Sequence, residues 1–329
     1  MEAQARIFLT GGTGFFGRAL LRHWQQQAAQ GHAVPSVVVG TRAPKVFLRQ
    51  YPEFGQCPWL QLHQSDILHS ESLPESARFS HVLHAATDST LGPSLTPLQR
   101  YDQIVTGTRN VLDFAVRNGV PRLLLTSSGG VYGPQAATAN ALEETCQNSP
   151  DPMQPANAYG MGKRAAEHLC ALYAHEFGLQ TVVARCFAFV GPDLPLDVHF
   201  AIGNFIRDAL WADCIRVQGD GSPLRSYMDQ SDLARWLLTL LESGESGQAY
   251  NVGSPEAISI AELAYLVRDT LAPHKPVEVL GQRQDTGPRN RYLPDVSKAQ
   301  RTLGLHITIP LREAILRTAA AHVAGTPSP

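Results

Sequence analysis

Seven residues, Gly11-Gly12-Thr13-Gly14-Phe15-Phe16-Gly17, join a short apolar run, Ile7-Phe8-Leu9, to a stretch with apolar side chains at helical spacing, Ala19, Leu20, Leu21 and Trp24. They therefore sit on a strand-to-helix turn. Glycines there allow a tight turn without a Cβ clash and let backbone N–H groups approach a pyrophosphate, while the following helix aims its positive end at the same anion. The spacing reads as G-x-x-G-x-x-G from Gly11 and as G-x-G-x-x-G from Gly12. A glycine-rich turn can also serve packing alone. Its place between a strand and a helix favours a dinucleotide site formed by Gly11, Gly14, Phe15, Phe16 and Gly17.

The rest of the first half repeats the alternation. Ile7 to Leu9, Val37 to Val39, Val82 to Leu83, Leu123 to Leu125 and Thr181 to Ala184 are short buried-strand candidates, with helical spacings between them. The clearest helix runs from about Leu98 to Asn118, with Ile104, Thr108, Val111, Leu112 and Ala115 on one face, Gly119 as its stop and Pro121 beyond. This pattern predicts an α/β fold of Rossmann type, a doubly wound parallel sheet over residues 1–185. Beyond residue 186 prolines, the turn Gly219-Asp220-Gly221 and shorter elements predict a smaller C-terminal α/β lobe over 186–329, with some segments returning to the first domain. Its helices are expected at Ala201 to Trp211, Ser231 to Glu242 and Ile260 to Leu271, the last opened by a capping-box pair, Ser259 and Glu262. Only the final Gly-Thr-Pro-Ser-Pro is expected to fray.

A formal charge of −2 over 329 residues gives no electrostatic reason to expect nucleic acid or an anionic membrane as partner. Cys57, Cys146, Cys170, Cys186 and Cys214 are odd in number, dispersed and outside any C-x-x-C arrangement, which argues against a disulfide framework and a metal site. The early glycine turn leaves no room for a secretion signal, and no apolar run reaches membrane-spanning length. A cytoplasmic location is expected.

Where NAD is selected, an acid at the end of the second strand receives the adenosine ribose hydroxyls. Here that strand ends Val39-Gly40-Thr41-Arg42, without a carboxylate. Arg42 can pair with the extra phosphate of NADP or stand as a solvated surface arginine, so the cofactor is NADP or NAD with NADP favoured. Asp66, followed by Ile67, is placed to meet the adenine or to cap a helix. Ala85 and Ala86 follow His84 with side chains small enough for a cofactor to lie against the backbone, and His84 reads as a packed histidine.

Tyr159 and Lys163 stand four residues apart, on one helical face, and Ser127-Ser128 closes the strand upstream. A free phenol has a pKa near 10, so service as a base at neutral pH requires lowering it by roughly 3, about 4 kcal/mol of differential stabilisation. Lys163, beside the phenol and the nicotinamide ribose, is the expected cause, with Ser128 holding the substrate oxygen. The alternative for a Y-x-x-x-K spacing is a half-buried aromatic beside a solvated lysine.

With these motifs together, nearly the whole chain resembles the extended short-chain dehydrogenase/reductases of the NAD-dependent epimerase/dehydratase family that act on nucleotide sugars. Gly11 to Gly17, the segment Ser127-Ser128-Gly129-Gly130-Val131-Tyr132-Gly133, and Tyr159 with Lys163 match its motifs. So do Gly219-Asp220-Gly221 followed by Arg225-Ser226-Tyr227 and Asp232, Tyr250 to Ser254, and Arg291 through Asp295. The resemblance implies that Ser128, Tyr159 and Lys163 are catalytic, that Arg225 and Arg291 hold phosphates, that Asn204 faces the nucleotide, and that the long helices near 98–118 and 157–177 form a homodimer interface. The family's 4,6-dehydratases carry an acid pair, or an acid and a lysine, where this chain has Gly129-Gly130; Glu143 and Glu144 could substitute but read as solvated loop acids. Ile104 and Ala188 stand where relatives commonly have asparagine. The remaining chemistry is hydride transfer at a sugar carbon, C4 above all. Arg42 favours reduction of a 4-keto sugar, with 4-epimerisation as the alternative. A 4,6-dehydratase, or a non-catalytic NADP-binding regulator of redox-sensing or RNA-binding type, stands further off, because such regulators tend to lose the tyrosine or the lysine.

Overall fold

A computed structural model of the chain describes residues 5–75, 78–87, 95–136, 138–282 and 290–324. The expected fraying residues at the C-terminus lie outside the described residues. The chain divides into two compact units, one of residues 1–133, 148–186 and 234–250 and the other of residues 134–147, 187–233 and 251–329.

In the first unit the predicted alternation is present. In chain order it holds β1 (Arg6–Thr10), α1 (Phe15–Ala29), β2 (Ser36–Thr41), α2 (Pro44–Gln50), β3 (Leu60–Gln64), β4 (His81–His84), α3 (Pro97–Arg117), β5 (Arg122–Ser128), α4 (Ala158–Phe177) and β6 (Gln180–Cys186). The second unit contributes β7 (Phe189–Val190), α5 (Ala201–Trp211), β8 (Ile215–Val217), β9 (Leu224–Arg225) and β10 (Met228–Asp229). The chain continues through α6 (Gln230–Ser243), β11 (Gln248–Val252), β12 (Ile258–Ser259), α7 (Ile260–Leu271), β13 (Val277–Val279), α8 (Ser297–Leu303) and α9 (Leu311–Ala324).

The main sheet has the order β11-β6-β5-β4-β1-β2-β3. The pairings of β1 with β2 and β4, of β2 with β3, and of β5 with β4 and β6 are all parallel. After β3 the chain returns to the far side of β1, so the strand order reverses between β1 and β4. In open α/β sheets that reversal opens a crevice at the carboxyl ends of the strands, where ligands bind. The glycine turn follows β1 and Ala85-Ala86 follows β4, so the two segments flank this crevice.

Phe8 of β1 packs at 4.9 Å on Phe114 of α3 and at 5.5 Å on Phe79, all three nearly inaccessible to water. Burying each such ring is worth about 2–3 kcal/mol, which makes this aromatic group a main anchor of helix on sheet. α3 opens with a full capping box, Thr96 and Gln99, and ends at Asn118 with Gly119 in the left-handed region. α4 ends at Gly178, also left-handed. In the second unit α5, α7 and α9 pack together through Phe205, Ile206, Leu263, Val267 and Ile315, and α7 carries the expected Ser259–Glu262 box.

Candidate active site

The glycine turn is built by close approach. Gly11 has φ of 72°, and a Cβ there would fall 2.5 Å from the Ala85 carbonyl oxygen. One on Gly17 would fall 2.2 Å from the Gly12 Cα, and one on Gly12 would meet Val39 at 2.5 Å. Gly14 differs: it is exposed, and the nearest atom to its hypothetical Cβ is the Gly11 carbonyl oxygen at 3.4 Å. Three glycines thus serve the packing of turn on sheet, and the fourth leaves open space. Gly14 is also the N-cap of α1, without a side-chain cap and with no acid in the first turn. The positive end of α1 therefore faces that space, a cradle suited to a pyrophosphate. Phe15 and Phe16, with ring centroids 6.0 Å apart, start the helix.

Beneath the turn the Thr10 hydroxyl lies 2.7 Å from His84 Nδ1 and accepts from the Ala86 N–H at 3.3 Å, while His84 Nε2 lies 3.1 Å from the Thr108 hydroxyl. His84 is enclosed, and burial, aided by the nearby charge of Lys163, pushes its pKa down to about 3. It is a neutral packed imidazole that ties β1, β4 and α3 together, as the sequence indicated. Arg42 follows β2 at the surface. Asp66 accepts the Leu68 N–H at 3.0 Å, which closes a local turn, and the Ile67 carbonyl accepts from Asn110 at 2.8 Å.

The end of β5 meets α4. Ser128 hydrogen-bonds the Tyr159 phenol and also accepts the Gly130 N–H at 3.1 Å. Burial raises the Tyr159 pKa above its ordinary value; the Ser128 bond and the charge of Arg100 pull it back in part, and Cys186 adds to the rise. Lys163 is 3% exposed and donates to the Thr126 carbonyl at 2.8 Å and the Thr87 hydroxyl at 2.7 Å. Burial brings its own pKa down to about 8. The expected tuning of the phenol by Lys163 is thus not what this chain alone displays: the ammonium is committed to Thr126 and Thr87, one helical turn from Tyr159, and burial of the ring dominates. Left to itself, this phenol is a proton donor at neutral pH.

In the second unit the segments that carry Arg225 and Arg291 adjoin, because Leu224 bridges Arg291 and exchanges backbone bonds with Asn290 and Tyr292. The Arg225 guanidinium donates to the Asn290 side chain at 3.0 Å and lies 6.0 Å from the Tyr292 ring centroid. Asn204, on α5, accepts from Arg207 at 3.4 Å. Glu144 corrects the reading of a solvated acid: its carboxylate accepts the Asn251 N–H at 2.8 Å and so anchors the backbone. Glu143 is exposed and accepts from Thr145 at 3.3 Å. Ile104 is buried and fills the space beside Gly162, which leaves no polar group at that position. Sequence reasoning missed Thr126 and Thr87 as lysine partners, and Glu167, which follows Lys163 by the same helical step that separates Lys163 from Tyr159. Among the described residues no cluster of three or more His, Cys, Asp or Glu side chains is placed to hold a metal, and no helix is long and apolar enough to cross a membrane.

Comparison with known proteins agrees with this arrangement. The model of the NAD dependent epimerase/dehydratase family matches residues 7–253. UDP-glucuronic acid decarboxylase 1 of Danio rerio is 30% identical over 320 residues, 95% of this chain and 71% of that protein. The UDP-glucose 4-epimerase of Thermotoga maritima, solved with UDP-glucose, superposes with a TM-score of 0.81 at 23% identity, covering 97% of this chain and 99% of the other. RMD from Pseudomonas aeruginosa, solved with NADPH, gives a TM-score of 0.78 at 25% identity, covering 98% of this chain and 100% of the other. A glycine turn at the sheet's reversal point and a Ser-Tyr-Lys set at the ends of β5 and α4 thus coincide with an independent match over most of the sequence, and the chain belongs to the NAD dependent epimerase/dehydratase family of nicotinamide-using nucleotide-sugar enzymes.

Proposed function

We propose that this chain is a nucleotide-sugar oxidoreductase working at C4 of the sugar, with reduction of a 4-keto group as its net reaction and NADPH as reductant. The observation that carries this reading is the hydrogen bond between Ser128 and Tyr159, a phenol whose pKa burial raises above its ordinary value. A ketone that gains hydride at carbon must gain a proton at oxygen, and a protonated phenol beside a strand-end hydroxyl is suited to give it. Ser128 would orient the carbonyl oxygen, Tyr159 would release its proton to it, and Lys163 would supply positive charge beneath the site. The reduced nicotinamide, when bound, supplies the hydride. Gly11, Gly14, Phe15, Phe16 and Gly17 would hold its pyrophosphate, Asp66 and Ile67 its adenine, Ala85 and Ala86 its ribose side, and Arg42 the phosphate that distinguishes NADPH. Arg225 and Arg291, on adjoining segments of the second unit, offer the pair of guanidinium groups that a diphosphate favours. Asn204 would contact the nucleotide. The exposed Leu98, Tyr101 and Leu172 on α3 and α4 favour a homodimer through these helices.

A second reading, oxidative decarboxylation of a nucleotide-linked glucuronate, is favoured by the 30% identity to a UDP-glucuronic acid decarboxylase over nearly the whole chain. Oxidation at C4, with the hydride passing to an oxidised nicotinamide when one is bound, places the sugar carboxylate β to a ketone; it leaves as carbon dioxide, the enolate left behind takes a proton at C5, and return of the hydride to C4 restores the alcohol. Gly129-Gly130, which lacks the side chains water elimination uses, does not oppose that step.

Incubation with UDP-, dTDP-, CDP- and GDP-linked hexoses, their 4-keto derivatives and UDP-glucuronate, each with NADPH, NADP and NAD, separates the readings. Loss of nicotinamide absorbance in step with loss of the 4-keto sugar is the expected result. Carbon dioxide release from UDP-glucuronate without net cofactor turnover establishes the second reading, and a C4 epimer without absorbance change establishes epimerisation. Tight NAD retained through purification overturns the preference for NADPH.

A further inference from the structure

Three consecutive residues at the end of β5 are each bonded to a different residue along one face of α4. The Thr126 carbonyl accepts from Lys163, the Ser127 hydroxyl donates to Glu167 at 2.5 Å, and Ser128 bonds Tyr159. Positions 159, 163 and 167 are successive i, i+4 steps, so the helix reads the strand end through one stripe. The third contact is held from the other side. Arg185 of β6 grips the Glu167 carboxylate with Nε at 3.1 and 3.2 Å from its two oxygens and Nη2 at 2.7 Å from Oε2. Its Nη1 donates to the Tyr132 hydroxyl at 3.0 Å, and its guanidinium lies 4.8 Å from the centroid of that ring. Tyr132, with no solvent exposure, ends the short turn Gly129–Tyr132 that Ser128 caps.

The pair is largely removed from water, with 15% of the Arg185 side chain and 14% of that of Glu167 exposed. Burial alone would lower the Arg185 pKa, but its bonds to Glu167 and Tyr132 raise it, so the guanidinium stays charged. A buried ion pair is a weak source of stability compared with apolar residues of the same volume. What distinguishes this one is where its remaining bonds go: one to the residue before Ser128, the other to the end of the turn that Ser128 starts.

We propose that the Glu167–Arg185 pair is a positioning device for the reaction, which through Ser127 and Tyr132 fixes the chain on both sides of Ser128 and so aligns its hydroxyl with Tyr159. The proposal rests on the C4 reading above for its kinetic consequence. Misplacement of a reacting group by about 1 Å can cost on the order of 100-fold in rate. Ser127 and Tyr132 are the two links, and Glu167 and Arg185 touch neither substrate nor cofactor in this assignment.

The test uses Ser127→Ala, which cuts one link and leaves the ion pair whole, with Ser127→Thr as the hydroxyl-retaining control and Glu167→Gln as a second variant. The expected result for Ser127→Ala is a kcat lowered about tenfold, with KM, NADPH affinity and Tm near wild type, and recovery in Ser127→Thr; Glu167→Gln follows Ser127→Ala in direction. A readout without turnover accompanies it. The phenolate absorbance that Tyr159→Phe removes is followed against pH in the ligand-free protein. Loosening Ser128 releases the bond that opposes burial, so Tyr159 titrates at higher pH in Ser127→Ala, while the other groups acting on it, Arg100 of α3 and Cys186 of β6, are unchanged. An unaltered kcat and Tyr159 titration in Ser127→Ala, or a kcat that falls only in proportion to lost folded protein, overturns the proposal. A wild-type chain that turns over no sugar defeats the functional reading instead, and the titration still decides the positioning role.

Discussion

The buried ammonium of Lys163 donates to the main-chain carbonyl of Thr126 at 2.8 Å, a bond that joins the second turn of α4 to the C-terminal end of β5. Burial lowers its pKa from 10.5 to about 8. The unfolded chain therefore holds a proton between pH 8 and 10.5 that the folded chain has released. Stability rises with pH through that window, and below pH 8 the cost of burying the charge is fully present, about 3 kcal/mol. Chemical unfolding of the wild type and Lys163→Met at pH 7.5 and pH 10 checks this: the difference should move in favour of the wild type by about 2–3 kcal/mol. A constant difference would show that the buried amine does not titrate in the window.

Tyr159→Phe removes the proton donor and leaves the glycine turn untouched. Turnover is expected to fall by about 10²–10⁴-fold, the usual contribution of general acid–base catalysis, with NADPH affinity within about twofold of wild type. Steady-state kinetics and cofactor titration make the measurement. Retained turnover would remove the phenol from the chemistry.

His84 predicts an acid-sensitive joint. Its folded pKa of about 3 lies below the ordinary 6.5, so its stabilising contribution is complete above pH 6.5 and is lost as pH falls from there toward 3. At pH 5 the loss is about 2 kcal/mol. His84→Gln, whose amide does not titrate, should lose correspondingly less stability between pH 7 and pH 5 in urea unfolding curves.

Arg42 is the side chain on which the preference for NADPH stands. A charge-assisted contact to a phosphate is worth about 1.5–3 kcal/mol, so Arg42→Ala should weaken NADPH binding about 10–100-fold and leave NADH unchanged. Equal effects on both cofactors would assign Arg42 to the stability of the β2 end rather than to selection.

The features that the sequence disclosed are those with a local signature. Buried runs such as Val37 to Val39, the Ser259–Glu262 cap and the Tyr159–Lys163 spacing are written within a few residues of one another, and each element formed where its period indicated. β3 escaped notice because Leu60–Gln64 is an edge strand in which Leu and polar residues alternate over a half-buried face. β11 is hidden by polar residues, and Glu144 looked like an ordinary loop acid because its partner, the Asn251 N–H, is distant in sequence. The same limit applies at the site. Sequence spacing places Tyr159, Lys163 and Glu167 on one stripe, but only the folded chain pairs them with Ser128, Thr126 and Ser127.

The glycine turn offers a contrast that separates folding from binding within one motif. A Cβ on Gly17 would lie 2.2 Å from the Gly12 Cα and 2.4 Å from the Gly11 carbonyl oxygen, both main-chain atoms, so Gly17→Ala must push α1 away from the end of β1. Overpacking of that kind costs about 1–3 kcal/mol, and a lowered Tm is expected. Gly14 has φ of −81° and ψ of −176°, which alanine adopts without strain, and the nearest atom to its Cβ would stand at 3.4 Å. Gly14→Ala should therefore fold with stability within about 1 kcal/mol of wild type, because alanine is a poorer N-cap than glycine but leaves the unfolded chain less freedom to lose. Its methyl group, however, would occupy the open approach to the first N–H groups of α1. NADPH affinity should fall at least about tenfold, because a displaced pyrophosphate loses charge-assisted bonds to those N–H groups. Cofactor titration and thermal melting of the two variants decide the matter: a Gly14→Ala protein that melts like the wild type and binds NADPH equally well would mean that the dinucleotide does not lie on this turn.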